Sequence, residues 1–234
     1  MTDSFPDSDS ALLRDIQNRI EAACARCERQ VSGVTLIGAS KTVAAARLAS
    51  FFVEGVKNFG ENYIQEGVQK TEFFREKKWS ATWHFIGALQ SNKAREAVAH
   101  FDLIHSVDRL SLARELDKEA RKIGKVQRIL LQVNLENESS KAGVLPAQLG
   151  ALCEAVSQLE NLQVEGLMSL PPFGENAEDA RKYHRALRES RDDLSPRFPF
   201  LMALSMGMSN DFETAIEEGA TYIRLGTALF GARG

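Results

Sequence analysis

Cysteine is scarce in this sequence, with three among 234 residues. Small secreted proteins commonly depend on several disulfides, whereas thiols in a reducing compartment stay free. An odd and small number of cysteines therefore predicts no disulfide framework, and we expect a cytoplasmic protein. Cys24 and Cys27 have the spacing of a redox or metal pair, but no second pair accompanies them, so we expect small buried residues and no metal.

Long apolar runs are missing as well. No uninterrupted hydrophobic stretch approaches the roughly 20 residues that a membrane-spanning helix needs. The first ten residues, MTDSFPDSDS, are acidic and polar, without the basic start and apolar segment of a signal peptide. We expect neither a signal peptide nor a membrane anchor, and we expect residues 1–10 to be disordered or poorly ordered.

The chain also lacks an excess of positive charge. Its formal net charge is −3 at pH 7 and its isoelectric point is about 5.9. Proteins that bind nucleic acid or anionic membranes ordinarily present a basic field. We therefore expect neither nucleic acid nor membrane as a partner.

What the chain does contain is an alternation of helical and strand-like segments. An amphipathic helix is predicted over residues 11–30, because apolar residues recur there every three or four positions. Eight short apolar runs follow it, many of them β-branched. These predicted strands cover residues 34–40, 58–61, 83–88, 102–107, 128–134, 163–170, 200–206 and 222–230.

Helical segments separate many of these runs. Residues 108–124 place apolar residues on one face and end on Gly124, and Pro146 is positioned to begin another helix. Eight strands alternating with helices, with no low-complexity linker, predict an α/β protein with a single (β/α)8 barrel of the TIM type. We expect this one domain to cover residues 11–234, with an extra N-terminal helix. An open doubly wound sheet is the alternative.

The carboxyl ends of parallel barrel strands face one mouth, so residues there are candidates for a site. Lys41 follows the first strand, and a cation at the end of a buried strand needs either an exit to solvent or a chemical task. Few carboxylates occur at these ends. The candidates are Lys41, Asn58, His84, Met168, Ser205, Arg224, Gly226 and Thr227.

A phosphate site is predicted at the seventh and eighth strands. The segment SMGMSND, Ser205 to Asp211, enters a predicted helix with Ser209 or Asn210 as its cap. Backbone N–H groups at such a turn suit an anion, and Gly226 and Thr227 add a flexible backbone and a hydroxyl. A plain strand-to-helix turn remains the alternative.

A lysine at the mouth and a phosphate anchor together suggest an aldehyde cofactor bound as an imine, pyridoxal 5′-phosphate. Arg224 beside the pyridine nitrogen would keep that nitrogen unprotonated. Two alternatives stay open: His84 as a satisfied core histidine, and Arg224 as half of an internal ion pair. Lys141 either reaches the mouth or is a solvated loop lysine.

The sequence resembles the pyridoxal phosphate homeostasis proteins, single-domain barrels similar to the N-terminal domain of fold-type III alanine racemase. The resemblance covers residues 39–231. The motifs that carry it are ASKT, NFGENY, WHFIGALQSNK, HSVDR, ESSKAG, GLMSL, SMGMSND and IRLGTALFG.

The resemblance implies that Lys41 holds pyridoxal phosphate as an internal aldimine and that Arg224 faces the pyridine nitrogen. It implies that Asn58, His84 and Met168 line the pocket. The expected cofactor-binding set is completed by residues at the last two strand ends: Ser205, Met206, Gly207, Met208, Ser209, Gly226 and Thr227. Ser209, Gly226 and Thr227, with the Met206–Met208 turn, would hold the phosphate.

The resemblance also implies a carrier that buffers the cofactor and supplies pyridoxal phosphate enzymes, without catalytic residues. We expect transient contacts with apo forms of those enzymes. We also expect a monomer, because no helix face is excessively apolar. The alternative is an amino-acid racemase or lyase of fold type III. The related racemases take a second base, a tyrosine, from a C-terminal domain that we do not expect here. Tyr63, Tyr183 and Tyr222 occupy no obvious strand mouth opposite Lys41.

Overall fold

The structure, a computed structural model, describes residues 7–136, 142–172, 174 and 176–231. Eight parallel strands follow one another in chain order and close into a barrel, which confirms the predicted (β/α)8 architecture. The strands are β1 Thr35–Ala39, β2 Asn58–Glu61, β3 Thr82–Phe85, β4 Leu103–Val107, β5 Gln127–Gln132, β6 Leu162–Met168, β7 Ala203–Ser205 and β8 Tyr222–Leu225. Lys141 and residues 1–6 lie outside the described residues.

Helices surround the barrel and one precedes it. They are α1 Asp7–Arg26, α2 Ala45–Val53, α3 Ile64–Glu76, α4 Ala94–His100, α5 Leu110–Lys122, α6 Pro146–Val156, α7 Ala177–Leu194, α8 Phe212–Glu217 and α9 Thr227–Phe230, with 3-10 turns at Val31–Gly33 and Ser91–Lys93. Pro146 begins α6, and Gly124 follows α5 with a φ of 65°, as predicted. The extra N-terminal helix is α1, which begins at Asp7, so residues 7–10 are helical.

The last predicted strand is too long. Residues 222–230 were expected to form one strand, but pairing with β1 stops at Leu225. The carbonyl of Gly226 then accepts hydrogen bonds from the N–H groups of Leu229 and Phe230, which turns the chain into α9. Apolar residues at this point therefore serve a helix that packs on the barrel.

The core lies between the strands and the helix layer. Phe74 of α3 is buried and makes edge contacts with the rings of Phe59 and Trp83, whose centroids lie 5.6 and 5.2 Å away. Strands covered on both faces read as nearly continuous apolar runs, which is why the sequence indicated them. Helix α1 buries Leu13 and Ile16 and packs against α8 and α9.

Gly166 marks the closest approach between two strands. A Cβ at this position would lie 1.9 Å from the carbonyl oxygen of Ala203 on the neighbouring strand β7. Only glycine lets β6 and β7 pair at this spacing, and β7 carries the chain directly into the loop at the barrel mouth.

We expect Gly166→Ala to lower the free energy of unfolding by about 1–3 kcal/mol, because the barrel must shift to admit the methyl group. The measurement is urea unfolding monitored by circular dichroism. Gly33→Ala is the control, since the nearest atom to its added Cβ would be 4.0 Å away, and it should change stability by less than about 0.5 kcal/mol. Equal effects of the two substitutions would contradict the steric argument.

Candidate functional site

A cavity of about 750 Å³ opens at the carboxyl ends of β1, β7 and β8. Half of the twelve predicted cofactor-binding residues line it: Lys41, Met208, Ser209, Arg224, Gly226 and Thr227. Helices α2 and α7 and the segment after β6 supply the other walls, including Arg47 and Asn176. The cavity is therefore lined by residues from the carboxyl ends of the first strand and of the last two strands, which are neighbours in a closed barrel.

Lys41 lies two residues beyond the end of β1 and is half-buried. Its side chain forms no ion pair or hydrogen bond with any residue that the structure describes. Arg47, a second cation in the cavity wall, is paired with Asp9, whose Oδ1 lies 2.7 Å from its Nη2. The amine of Lys41 is available to a ligand in the cavity.

The backbone on both sides of Lys41 is held by helix α3. The ammonium of Lys70 donates to the carbonyl of Ser40 at 2.7 Å, and the carboxylate of Glu66 accepts from the N–H of Thr42 at 2.9 Å. Sequence reasoning missed both residues. The available signal was a lysine in the middle of an otherwise apolar helix face, just after the NFGENY motif.

The loop after β7 is shaped by a glycine with left-handed backbone. Gly207 has a φ of 90°, and a Cβ there would lie 2.6 Å from the Cβ of Ala215. Its carbonyl accepts a hydrogen bond from the N–H of Arg224, which ties the loop to β8. Glycine is therefore required here by the packing of the loop against α8, and Gly207 is not among the residues that line the cavity.

The predicted helix cap in this loop is wrong. Asp211, rather than Ser209 or Asn210, is the cap residue of α8. One oxygen of its carboxylate accepts from the N–H of Met208 at 2.6 Å, and the other lies 2.9 Å from Nε2 of the buried His184. The carboxylate of Asp211 thus holds the loop and also joins α8 to α7. No local sequence motif indicated these contacts.

Ser209 links the two loops at the mouth. Its hydroxyl oxygen accepts a hydrogen bond from the N–H of Ala228 at 3.2 Å. A serine oxygen that accepts in this way keeps its own O–H as a donor. The loops after β7 and β8 therefore form one unit that presents a hydroxyl group to the cavity.

Arg224 forms the floor of the cavity and is only 3% exposed. Its two terminal nitrogens donate to the hydroxyl of Ser205 and to the carbonyl of Ser169, the latter at 2.9 Å. Burial lowers the pKa of Arg224 to about 10, with Asp211 opposing the shift, so the guanidinium remains charged at neutral pH. No carboxylate among the described residues pairs with it directly, so the expected alternative of an internal ion pair does not apply there.

A chain of hydrogen bonds runs from Arg224 through the barrel interior. Ser205 lies 2.8 Å from Nδ1 of His105, Nε2 of His105 lies 2.9 Å from Nδ1 of His84, and Nε2 of His84 lies 3.0 Å from Oδ1 of Asn58. Asn58 is the first residue of β2, so the chain ends at the opposite end of the barrel.

The direction of each bond follows from Asn58, whose Oδ1 can only accept. Nε2 of His84 must then donate, and a neutral His84 accepts at Nδ1 from His105. His105 in turn accepts at Nδ1 from the hydroxyl of Ser205, which accepts from Arg224. Both imidazoles are neutral: burial lowers the pKa of His84 to about 3 and that of His105 well below its ordinary value.

The other six predicted residues are not among those that line the cavity, and they are Asn58, His84, Met168, Ser205, Met206 and Gly207. Asn58, His84 and Ser205 belong to the hydrogen-bonded chain. Met168 packs in the barrel interior with Leu103 and Leu130. His84 is thus a satisfied buried histidine, as the alternative held, and it reaches the cavity only through Arg224.

The tyrosines stand away from Lys41. Tyr222 begins β8 at the far end of the barrel, where its ring lies 5.7 Å from that of His84. None of Tyr63, Tyr183 and Tyr222 is among the described residues that line the cavity.

Across the described ranges, no cluster of histidine, cysteine or acidic residues could hold a metal ion, and no helix is long and apolar enough to cross a membrane.

Comparison with known proteins gives a consistent result. The alanine racemase N-terminal domain family matches residues 13–234. The pyridoxal phosphate homeostasis protein of Aquifex aeolicus is 46% identical over 222 residues, covering 94% of this chain and 96% of the relative. That of Escherichia coli K12 is 40% identical over 224 residues, covering 94% and 95%.

A solved structure of a relative gives the same result. PipY of Synechococcus elongatus, determined with pyridoxal phosphate bound, is 40% identical, covers 91% of this chain and 100% of its own, and superposes with a TM-score of 0.81. Similarity at this level along nearly the whole length means that the chain belongs to the pyridoxal phosphate homeostasis protein family, with the barrel of the alanine racemase N-terminal domain.

Proposed function

We propose that this protein binds pyridoxal 5′-phosphate covalently through Lys41 and acts as a carrier that buffers the cofactor. The observation that carries this proposal is that one cavity is lined by Lys41, whose amine has no partner among the described residues, by the buried Arg224 and by two polar loops. The PipY structure with the cofactor bound supports it, because that relative shares the fold and 40% of the sequence.

The residues of the cavity fit each part of the cofactor. Pyridoxal phosphate supplies an aldehyde, which a neutral amine captures as an imine with loss of water. In our proposal the hydroxyl of Ser209 and the backbone of Gly226 and Thr227 hold the phosphate. The Met206–Met208 turn contributes by shaping the loop, because the N–H groups of Met206 and Met208 already donate to Tyr222 and Asp211. Because α8 and α9 are only six and four residues long, we assign this task to N–H and hydroxyl groups rather than to helix dipoles.

Arg224 favours carriage over catalysis. A permanently charged guanidinium beside the pyridine nitrogen keeps that nitrogen unprotonated, and the ring is then a poorer electron sink than it would be beside a carboxylate. Asn58, His84 and Ser205 would contribute by orienting Arg224 through the hydrogen-bonded chain. Met168 would contribute by packing beneath it.

The racemase alternative needs an acid or base on each face of the substrate. Lys41 could serve on one face, but no tyrosine is among the described residues that line the cavity. We therefore propose no amino-acid turnover. The names of the curated relatives, which denote homeostasis, support the same choice.

We further propose that the protein works in the cytoplasm as a monomer and passes the cofactor to apo forms of pyridoxal phosphate enzymes through transient contacts. The three free cysteines, Cys24, Cys27 and Cys153, suit a reducing compartment.

Lys41→Ala should abolish attachment of the cofactor, because no other lysine is among the described residues that line the cavity. The measurement is a near-ultraviolet and visible spectrum after addition of pyridoxal phosphate, followed by borohydride reduction and peptide mass mapping. Wild type should carry the reduced cofactor on the peptide that contains Lys41. Lys118→Ala, at an exposed ion pair on α5, should behave as wild type.

Attachment to a different lysine would show that the cofactor site lies elsewhere in the protein. Absence of any attachment to wild type would refute the cofactor proposal. If attachment occurs on Lys41, an assay of alanine racemisation by the loaded protein tests carriage, since steady turnover would identify an enzyme.

Direct transfer makes a separate prediction. If recipient enzymes contact the barrel mouth, loading of an apoenzyme by the carrier should be faster than release of the cofactor into solution. The two rates can be compared by adding either an apoenzyme or an excess of an aldehyde-trapping amine to the loaded protein. Equal rates would mean that the carrier only buffers free cofactor.

Stability should fall as the pH falls below about 6.5, because His84 and His105 accept protons in the unfolded chain but not in the folded one. Each histidine adds up to about 1.4 kcal/mol per pH unit to this slope. His84→Gln keeps an acceptor for His105 and a donor for Asn58 but cannot titrate, so it should reduce the slope between about pH 6.5 and pH 5.

Urea unfolding at a series of pH values measures both slopes. Above about pH 8 the histidines are neutral in both states, so the two proteins should there show the same dependence on pH. An unchanged slope in His84→Gln at acid pH would show that His84 binds protons equally in the folded and unfolded chains.

A further inference from the structure

The main chain at the end of β1 is fixed from one side by a single helix. Lys70 of α3 donates to the carbonyl of Ser40, the residue before Lys41, and Glu66 of the same helix accepts from the N–H of Thr42, the residue after it. The two contacts bracket Lys41 without touching its side chain. They restrain the backbone that carries the amine, and the amine has no partner within the described ranges.

Burial of the Lys70 ammonium costs free energy, because the charge loses its contact with water. The Lys70 side chain is 8% exposed, and its charge is compensated by Glu61, which is fully buried with one oxygen 2.7 Å from the ammonium. The hydroxyl of Ser40 donates to the same oxygen, and the second oxygen of Glu61 has no hydrogen-bond partner. A buried ion pair often stabilises a fold no better than an apolar pair of the same volume. Stability alone therefore does not account for Lys70 and Glu61.

Thr42 is the second unusual feature. Its φ is 66°, a left-handed conformation that a β-branched residue rarely adopts. Backbone strain of this kind persists only where the surroundings impose it, and it concentrates at functional sites. Here the imposed contact is the hydrogen bond to Glu66, which itself lies 3.5 Å from the ammonium of Lys70.

We propose that Lys70, together with Glu61 and Glu66, is a positioning group that holds the backbone on either side of Lys41 and so determines how readily its amine reaches a ligand in the cavity. The identity of that ligand rests on the function proposed above. Lys70 does not line the cavity, so it acts through the main chain of Ser40 and Thr42.

A simpler role for Lys70 is to neutralise Glu61, and a double variant separates the two. Lys70→Met alone leaves the Glu61 carboxylate buried and unpaired, so the protein should be destabilised whichever role is correct. Lys70→Met with Glu61→Gln removes both charges and keeps an acceptor for the hydroxyl of Ser40. Its stability should recover, but the carbonyl of Ser40 still lacks the ammonium donor.

Two readouts test positioning. Hydrogen exchange of the apo protein, followed by mass spectrometry, should show faster exchange of residues 40–43 in the double variant while peptides from β5 remain as in wild type. The rate of pyridoxal phosphate attachment should fall on the order of tenfold, since misplacement by about 1 Å can cost a hundredfold in rate. Lys70→Arg, which keeps a cationic donor, should restore part of the rate.

Glu66→Ala provides an independent test that leaves the contact between Lys70 and Glu61 in place, because Glu66 is partly exposed and is the more distant partner of the Lys70 ammonium, 3.5 Å away against 2.7 Å for Glu61. It should also increase exchange at Thr42 and slow attachment. Lys118→Met on α5 is the matched control. Wild-type exchange and attachment in Glu66→Ala, or in a stably folded double variant, would overturn the proposal. If wild type binds no pyridoxal phosphate, the proposed function fails. The exchange comparison still decides whether Lys70 and Glu66 hold the backbone on either side of Lys41.

Discussion

The pairing of β1 with β8 is the interaction on which the site depends. It closes the barrel, and its register sets Ile37 opposite Arg224 and Gly38 opposite Leu225. Lys41 comes from the first strand and Arg224 from the last, so residues 183 positions apart in sequence share a cavity only if the barrel closes. Gly38 assists closure, because a Cβ there would lie 3.0 Å from the ring of Phe230 on α9.

Closure also forces polar groups into the barrel interior, where each must find a partner. A buried guanidinium is tolerated because Ser205 and Ser169 accept from it and because two neutral histidines continue the chain to Asn58. The chain has a single direction, so a change in the protonation of either imidazole would disturb the acceptor that Ser205 offers to Arg224. The residues beneath the cavity thus matter for the charge and orientation of one group at its floor.

The sequence predicted most of the fold because each buried parallel strand is a compact apolar run and each helix has a clear period. It predicted Lys41, Ser209 and Arg224 because residues at strand ends share a mouth in any such barrel. The places of Asn58 and His84 were not predictable, since periodicity does not say whether a strand residue points up toward the mouth or into the interior. The register between strands, which no local pattern contains, decides this.

The residues that reasoning from sequence missed act at a distance along the chain. Asp211, which holds the loop after β7, is itself bound by His184 of α7, and Lys70 reaches back 30 positions to the carbonyl of Ser40. Such contacts leave no pattern of spacing in the sequence, because the two residues of each contact belong to different secondary-structure elements.

Carriage and catalysis make different demands on a reactive lysine, and the surroundings of Lys41 suit the first. A carrier needs an amine that is held in place, that no acidic neighbour sequesters, and that is not surrounded by proton donors able to complete a reaction. Backbone contacts from Ser40 and Thr42 meet the first demand, and the absence of a described ion-pair partner meets the second. For the third demand, no tyrosine is among the described residues that line the cavity. In the function we propose, Arg224 beside the pyridine nitrogen would also make the cofactor a weak electron sink, so the geometry that retains the cofactor would limit what it can do while it is bound.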